Sequence, residues 1–325
     1  MATSSGGTPA PTPSAAGTRA PTTEFARWWT EVLTLHPRGA DRFEAAPAPS
    51  AFPRLYGGQV AAQCLLAAAW TVRPGREPHS VQVTYLRGGD NSRPVSYRVE
   101  HVRESRTLST RLVRAEQGDR LLATATASFH HPPPAGARYV LEHDARDTDH
   151  ASQRDPPPDP ATLPSRPELL TAAFGDQIPD SAAAVWPVDV RYIDRAPWEV
   201  TGTSGPRNRQ WFRAASALPD VPAFDAVALT FATDYPMFEP VLFPHALPWG
   251  QVISGDNVYG ASLDHALWFH RPARSDDWLL LEQLSPVAAG GRGLCRAEVR
   301  SPAGALIATV VQEIALVDPV ATTKA

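Results

Sequence analysis

What this chain has little of narrows its chemistry first. Two cysteines, Cys64 and Cys295, occur in 325 residues. They cannot make a disulfide framework, and both sit among apolar neighbours, so each reads as a small packing residue in a reducing cytoplasm. Basic charge is not in excess: 30 Lys plus Arg against 34 Asp plus Glu give a net charge of -4, unlike the cationic surface that duplex nucleic acid or an anionic membrane selects. Residues 1–24 hold no apolar segment long enough for a signal peptide or a membrane span. Small molecules and further copies of the chain are the expected partners, with no nucleic acid and no membrane span. Several catalytic signatures are also missing. The nearest approach to a serine-hydrolase elbow, Gly260 to Asp264, ends in Asp where glycine is required. Gly255 to Gly260 is followed by Ala261 and Ser262 rather than the lysine of a phosphate loop. His265 and His270 stand five apart in a strand pattern and so face opposite ways, and His130 and His131 are adjacent; neither pair suits a metal. No metal and no cofactor are expected.

Proline, by contrast, is plentiful and marks the boundaries. Ala, Thr, Ser, Gly and Pro dominate residues 1–24, a composition too poor in apolar surface to pack, and a disordered tail is expected there. Prolines accumulate again over 132–167 (HPPP, DPPPDP, LPSRP), where they forbid continuous helix and cannot donate to a sheet. This linker separates an N-terminal unit, 25–131, from a C-terminal unit, 168–318, with a short tail at 319–325. The units look alike. Glu104 to Phe129 reads as two alternating runs around a Gly-Asp turn, and Gly290 to Ile314 repeats the pattern. A shift of about 185 residues lays Leu121 on Leu306, Ala123 on Ala308 and Thr124 on Thr309, as an internal duplication does. Each half also carries one helical run before these strands; Gly57 to Val72 is apolar nearly all round and therefore buried. An α+β fold with a central helix wrapped by antiparallel sheet, twice over, is implied.

The second-half helix is predicted over Pro222 to Tyr235, with Asp220 as N-cap, Pro222 in the first turn and Pro236 as the stop. Phe224, Val227 and Phe231 form one stripe and Asp234 ends it, a carboxylate on the core side that also opposes the helix dipole. An Asp turned out to solvent is the competing reading. Leu306 to Val317 reads as a strand in which Gln312 shares a face with Leu306, Ala308, Val310, Ile314 and Leu316. A lone amide on such a face needs a buried polar partner or a substrate. Ser262, read on one strand face with Asp264, Ala266 and Trp268, is the weakest candidate, since serine at a strand start is commonly a turn residue.

The stretches RLYGGQVAAQ, HSVQVTYLRGGD, LDHALWFHRP and ATVVQE, in this order, resemble the acyl-CoA thioesterase II family, the TesB-like double hotdog enzymes, over about 43–317. The resemblance implies two tandem hotdog units, hydrolysis of acyl-CoA, and a catalytic trio that falls on Asp234, Ser262 and Gln312. Two departures are visible: YLRGGD lacks the proline that relatives carry after the arginine, and the loop before Ser262 is longer. Hydrolysis of a thioester needs an oriented water, a base and a stabiliser for the oxyanion. Asp234 suits the base, with Ser262 and Gln312 fixing the water. The backbone amides of Gly57, Gly58 and Gln59, at a helix start, are candidate oxyanion donors, or their glycines serve only a tight turn. His79 is left outside the set. In the first half Ala127 takes the place of Gln312, so that half is expected to line the pocket rather than to catalyse. The alternatives are a non-catalytic acyl-thioester binding protein on the same fold, or a hotdog hydratase or dehydratase. Self-association is expected, because such folds expose sheet edges and faces.

Overall fold

A computed structural model describes residues 23–46, 54–132, 156–179, 186–200, 202–247 and 259–317. The first half has helix α2 (Gly57–Ala69) at its centre. Every residue from Gly58 to Ala68 is buried, as a sequence without a charged face requires. Strands β1 (His36–Pro37), β2 (Arg42–Ala45), β3 (Glu77–Tyr85), β4 (Val95–Glu104), β5 (Leu108–Gln117) and β6 (Arg120–His130) form its sheet in the order β1-β2-β4-β5-β6-β3. Gly118 makes the β5–β6 turn at φ 61°, a left-handed conformation that glycine adopts without a side-chain clash.

The second half repeats this plan around helix α4 (Phe224–Asp234). Its strands are β7 (Val188–Tyr192), β8 (Arg207–Ala214), β9 (Tyr259–Ser262), β10 (Asp264–Phe269), β11 (Leu279–Ala289), β12 (Arg292–Arg300) and β13 (Leu306–Val317). The order β7-β8-β11-β12-β13-β10 matches the first half strand for strand. All pairings are antiparallel, and β3 pairs with β10 from Thr84↔Asp264 to Ser80↔Trp268, so the halves share one sheet. This is the expected double hotdog. The alternation in β13 is also as expected: Ala308, Val310, Gln312 and Ile314 are all buried.

Two further helices lie outside the repeat. Helix α1 (Thr23–Val32) begins within the segment expected to be a tail, of which residues 1–22 lie outside the described residues. Its Trp28 and Trp29 rings meet Phe231 of α4 at 4.7 and 5.4 Å, edge-on contacts that anchor it to the core. Helix α3 (Arg166–Phe174) starts where the proline-rich segment ends, on a capping box in which Ser165 accepts from the Glu168 amide and the Glu168 carboxylate accepts from the Ser165 amide.

Helix α4 departs from its sequence reading at its start. Asp220 is not its N-cap; Ala223 holds that place at φ 67° with no side-chain cap. The Phe224 amide donates to the Val221 carbonyl at 3.0 Å, and Asp225, an acid in the first turn that suits the dipole, accepts from the Ser275 amide at 2.8 Å. At the other end the α-helix stops at Asp234, ahead of Pro236 as expected, but the helical path goes on. A 3-10 turn (Tyr235–Phe238), a single α-turn (Glu239–Leu242) and a second 3-10 turn (Phe243–His245) follow without a break. Pro236, Pro240 and Pro244 each stand second in one of these segments. At such a position the missing N–H has no helical acceptor to lose, so the chain re-aims at each proline instead of stopping.

Candidate active site

Asp234 is 2% exposed and ends α4, where its charge opposes the dipole of its own helix. Its partners come from elsewhere. The Gly58 amide, in the first turn of α2, donates to Oδ2 at 2.9 Å, and the Ser262 hydroxyl donates to Oδ1 at 2.9 Å. Gln312 Nε2 donates to Ser262 Oγ at 3.0 Å and to the Asp234 carbonyl at 3.2 Å. A carboxylate at the wrong end of one helix is therefore held at the favourable end of the other. The structure brings Asp234, Ser262 and Gln312 together as one hydrogen-bonded group, and the solvent-facing reading of Asp234 fails.

Ser262 reaches the carboxylate through a feature that strict alternation misses. Ser262 pairs with Ile314, whereas the next ladder runs from Ala266↔Val311. One extra residue on this side of the pair, at Leu263, breaks the strand into β9 and β10. Such bulges re-aim a side chain. As a result Ser262 points at Asp234 and His265, three residues on, is fully buried, while Trp268 is turned outward.

At the helix start Gly57–Gln59 one of the three amides is already engaged. Gly58 gives its amide to the carboxylate rather than leaving it for a substrate oxygen. A Cβ at Gly57 would stand 3.0 Å from Asp234 Oδ2 and 3.2 Å from Tyr85 Cζ, so a larger residue there would push against the carboxylate and the tyrosine ring. The Gln59 side chain is buried and its Nε2 lies 3.5 Å from the Ala46 carbonyl. Two tyrosines unnoticed in the sequence complete the cradle. Tyr85 OH donates to the Gly57 carbonyl at 2.9 Å; Tyr56 OH donates to the Phe231 carbonyl at 2.8 Å and accepts from the Tyr235 amide at 3.1 Å. Both lie inside the quoted motifs, one before the glycine pair and one closing HSVQVTY, and that position was the available signal.

Burial pushes the Asp234 pKa above the ordinary carboxylate range, against the opposing pull of His265, Ser262, Gly58 and Gln312. His265 shifts the other way, its proton affinity lowered chiefly by burial and partly restored by Asp234 and Gln312. His79 stands apart, near the other end of β3, with its ring 5.6 Å from that of His130. No group of His, Cys, Asp and Glu suited to a metal occurs among the described residues.

A cavity opens beside the group, one residue beyond Asp234 and not centred on it. Its walls are Trp186, Val190, Phe212, Tyr235 and Pro236, and Glu239 lies on its lining. Glu239 is buried, accepts from Tyr192 OH at 3.0 Å and from Asn208 Nδ2 at 3.1 Å, and has its pKa pushed up to about 8 by burial.

Comparison with known proteins bears on both halves. The model of an acyl-CoA thioesterase N-terminal domain matches residues 46–130, and that of an acyl-CoA thioesterase C-terminal domain matches 150–316. The chain is 30% identical over 293 residues to acyl-coenzyme A thioesterase 8 of Homo sapiens, covering 87% of each. It is 31% identical over 265 residues to acyl-CoA thioesterase 2 of Haemophilus influenzae, covering 81% of this chain and 87% of that protein. Among solved structures, acyl-CoA thioesterase II TesB2 from Mycobacterium marinum superposes with a TM-score of 0.66 at 29% identity, over 90% of this chain and 98% of that one.

Proposed function

Because this chain belongs to the acyl-CoA thioesterase family and hydrolyses acyl-CoA thioesters, we propose a division of labour among its site residues. Asp234 is the base. It takes a proton from a water as the water oxygen bonds to the thioester carbonyl carbon; the tetrahedral intermediate then expels CoA thiolate, which leaves with that proton. The acyl group departs as the free acid, without a covalent enzyme intermediate. Ser262 and Gln312 hold the water and fix the carboxylate. Gly58 anchors Asp234, and the Gly57 and Gln59 amides of the same helix turn are the oxyanion donors. The observation that carries this reading is a carboxylate kept 2% exposed yet bonded to donors from the other helix and from β9. Raised by burial, its pKa moves toward the range in which a base exchanges protons near neutral pH. The binding-only and dehydratase readings lack such support.

The apolar cavity beside Tyr235 is the proposed seat of the acyl chain. Self-association is proposed as well, supported by exposed Trp268, Val287 and Leu86, as is a reducing compartment, supported by two free buried cysteines. No described helix is long and apolar enough to cross a membrane. Release of free thiol from a panel of acyl-CoA esters, by wild type and Asp234→Asn, tests the assignment. Turnover that survives in Asp234→Asn sinks Asp234 as base. Light scattering across micromolar concentrations tests the oligomer, and a monomeric mass throughout removes it.

A further inference from the structure

One wall of the acyl cavity is more polar than the fold requires. Strand β8 turns Asn208, Gln210 and Phe212 to one buried face, and Gln210 lines the cavity together with Tyr192, Glu239 and Arg166. The counterpart strand in the first half, β2, buries Phe43 and Ala45 instead, so an amide is not demanded by the architecture. Glu239 has its partners in Tyr192 and Asn208. Gln210 is less well served. Among the described residues its side chain makes one bond, from Nε2 to Gln283 Oε1 at a long 3.5 Å, while Gln283 gives its own Nε2 to the Pro236 carbonyl. An oxygen and an N–H are thus left over on a residue 1% exposed. On the same strand face, Asn208 Oδ1 is buried without a partner. An interior amide in this condition favours a ligand group that completes its bonds.

The wall offers both halves of a hydrogen-bonding pair. Gln210 has an N–H to give, and the two Glu239 oxygens each accept once and so retain a lone pair. A hydroxyl, which both accepts and donates, matches the two together. A keto oxygen accepts only, and a methylene leaves both groups unmet. A carboxylate also only accepts, and it would share the cavity with Glu239, which burial already holds against ionising. Arg166, the cation of the lining, is half-buried and stands over the Trp198 ring, 5.8 Å from its centroid. Position along the acyl chain follows from the helical path. Glu239 comes five residues after Asp234, about 8 to 10 Å along the axis at helical rises. A group that meets this wall is therefore several carbons from the carbonyl that Asp234 serves.

We propose that Gln210, beside Glu239, is a specificity-determining residue that selects acyl-CoA thioesters bearing a hydroxyl several carbons from the thioester. The hydroxyl accepts from the Gln210 amide and donates to a Glu239 oxygen, while Trp186, Val190 and Phe212 take up the hydrocarbon. An ester without that oxygen covers the wall and leaves its bonds unmade, which is the basis of the discrimination.

The inference rests on the cavity as the seat of the acyl chain, and the experiment separates the two. kcat/KM is measured for wild type and Gln210→Met on CoA esters of one chain length: unsubstituted, 3-hydroxy, and with a hydroxyl, keto or carboxyl group toward the far end. Wild type should favour the distal hydroxy ester over each of the others, by about 10-fold against the unsubstituted one, the worth of a hydrogen bond in a buried site. Gln210→Met keeps the length and removes the amide, and should bring that ratio to within about twofold of one. Parity in wild type, equal use of the 3-hydroxy or keto ester, a preference for the carboxyl ester, or a preference that survives Gln210→Met overturns the inference. Should Gln210→Met fail to fold, the wild-type panel decides. Val190→Phe, which narrows the cavity, should lower kcat/KM more for long unsubstituted esters than for short ones. If it does so while wild type ignores the hydroxyl, the acyl seat stands and only this inference falls; if it alters no ester, both fall.

Discussion

The two halves share a strand order and a central helix but finish that helix in opposite ways. After α2, the Arg111 guanidinium, 1% exposed, donates to the Thr71 hydroxyl at 2.9 Å and to the Thr71 carbonyl at 3.0 Å, and pairs with Glu104 at 2.7 Å. A cation beside the last carbonyls suits the helix dipole, and Ser109 and Arg76 also bind Glu104. At the end of α4 stands an anion, Asp234, which the dipole disfavours. The ladders locate the difference: Ala127 pairs with Arg111, and its counterpart Gln312 pairs with Cys295. One half has used its helix end for stability, and the other holds a carboxylate there in a state that only neighbours make tolerable. A duplicated fold can thus keep one site by filling the other.

The sharpest way to break this comparison is Asp234→Asn. It should lower kcat by about 10² to 10⁴-fold, the usual worth of a general base, with an unchanged or higher Tm at neutral pH. The sign follows from the raised pKa: a buried acid of this kind lowers stability progressively as pH rises from its unfolded value through its folded one, and the amide removes that penalty. An unaltered pH–stability profile would count against burial as the cause. Gln312→Ala, which makes the second half resemble the first, should cost less in kcat, and its double mutants with Ser262→Ala should be strongly non-additive.

The first half answers in stability instead. Arg111→Met removes charge-assisted bonds from a buried position and should cost about 1.5 to 3 kcal/mol by denaturant unfolding, with kcat within about twofold at permissive temperature. A kcat loss comparable to that of Gln312→Ala would mean that the halves do not divide these tasks. Glu239→Gln is the mildest change. With a folded pKa near 8 against an ordinary glutamate value near 4.5, Glu239 makes the folded state bind the extra proton between those values. Wild-type stability should therefore fall from about pH 5 to pH 8, and the slope of Tm against pH should be shallower in the variant.

The fold was legible in the sequence because duplication and period are carried by many residues at once. The shift that aligns Leu121 with Leu306 needs no single position to be right, and the buried run of α2 announces itself. Asp234 and Gln312 were legible for a related reason: each is a polar residue on an otherwise apolar face. What escaped were features fixed by one residue. The bulge at Leu263 reverses the alternation that would set Ser262 on a face with Trp268, and it turns His265 inward. Asp220 looks like an N-cap, yet the left-handed turn at Ala223 moves the helix start past it. The partnership of Gly58 with Asp234 spans 176 residues, and local pattern cannot report contacts across such a distance.

The pairing of β3 with β10 has a consequence for how the molecule breathes. Gly58 belongs to one half and Asp234 to the other, and the ladder from Thr84↔Asp264 to Ser80↔Trp268 runs alongside that contact as the seam between them. The halves cannot part without also withdrawing the amide from the carboxylate. Among the backbone amides, those of the seam should exchange with deuterium only through the rarest openings, while the outer strands β1 and β7 exchange through smaller ones. The lifetime of the Gly58–Asp234 contact is then the lifetime of the fold itself, and, with Asp234 as the proposed base, heat or denaturant should extinguish turnover and sheet structure at a single midpoint.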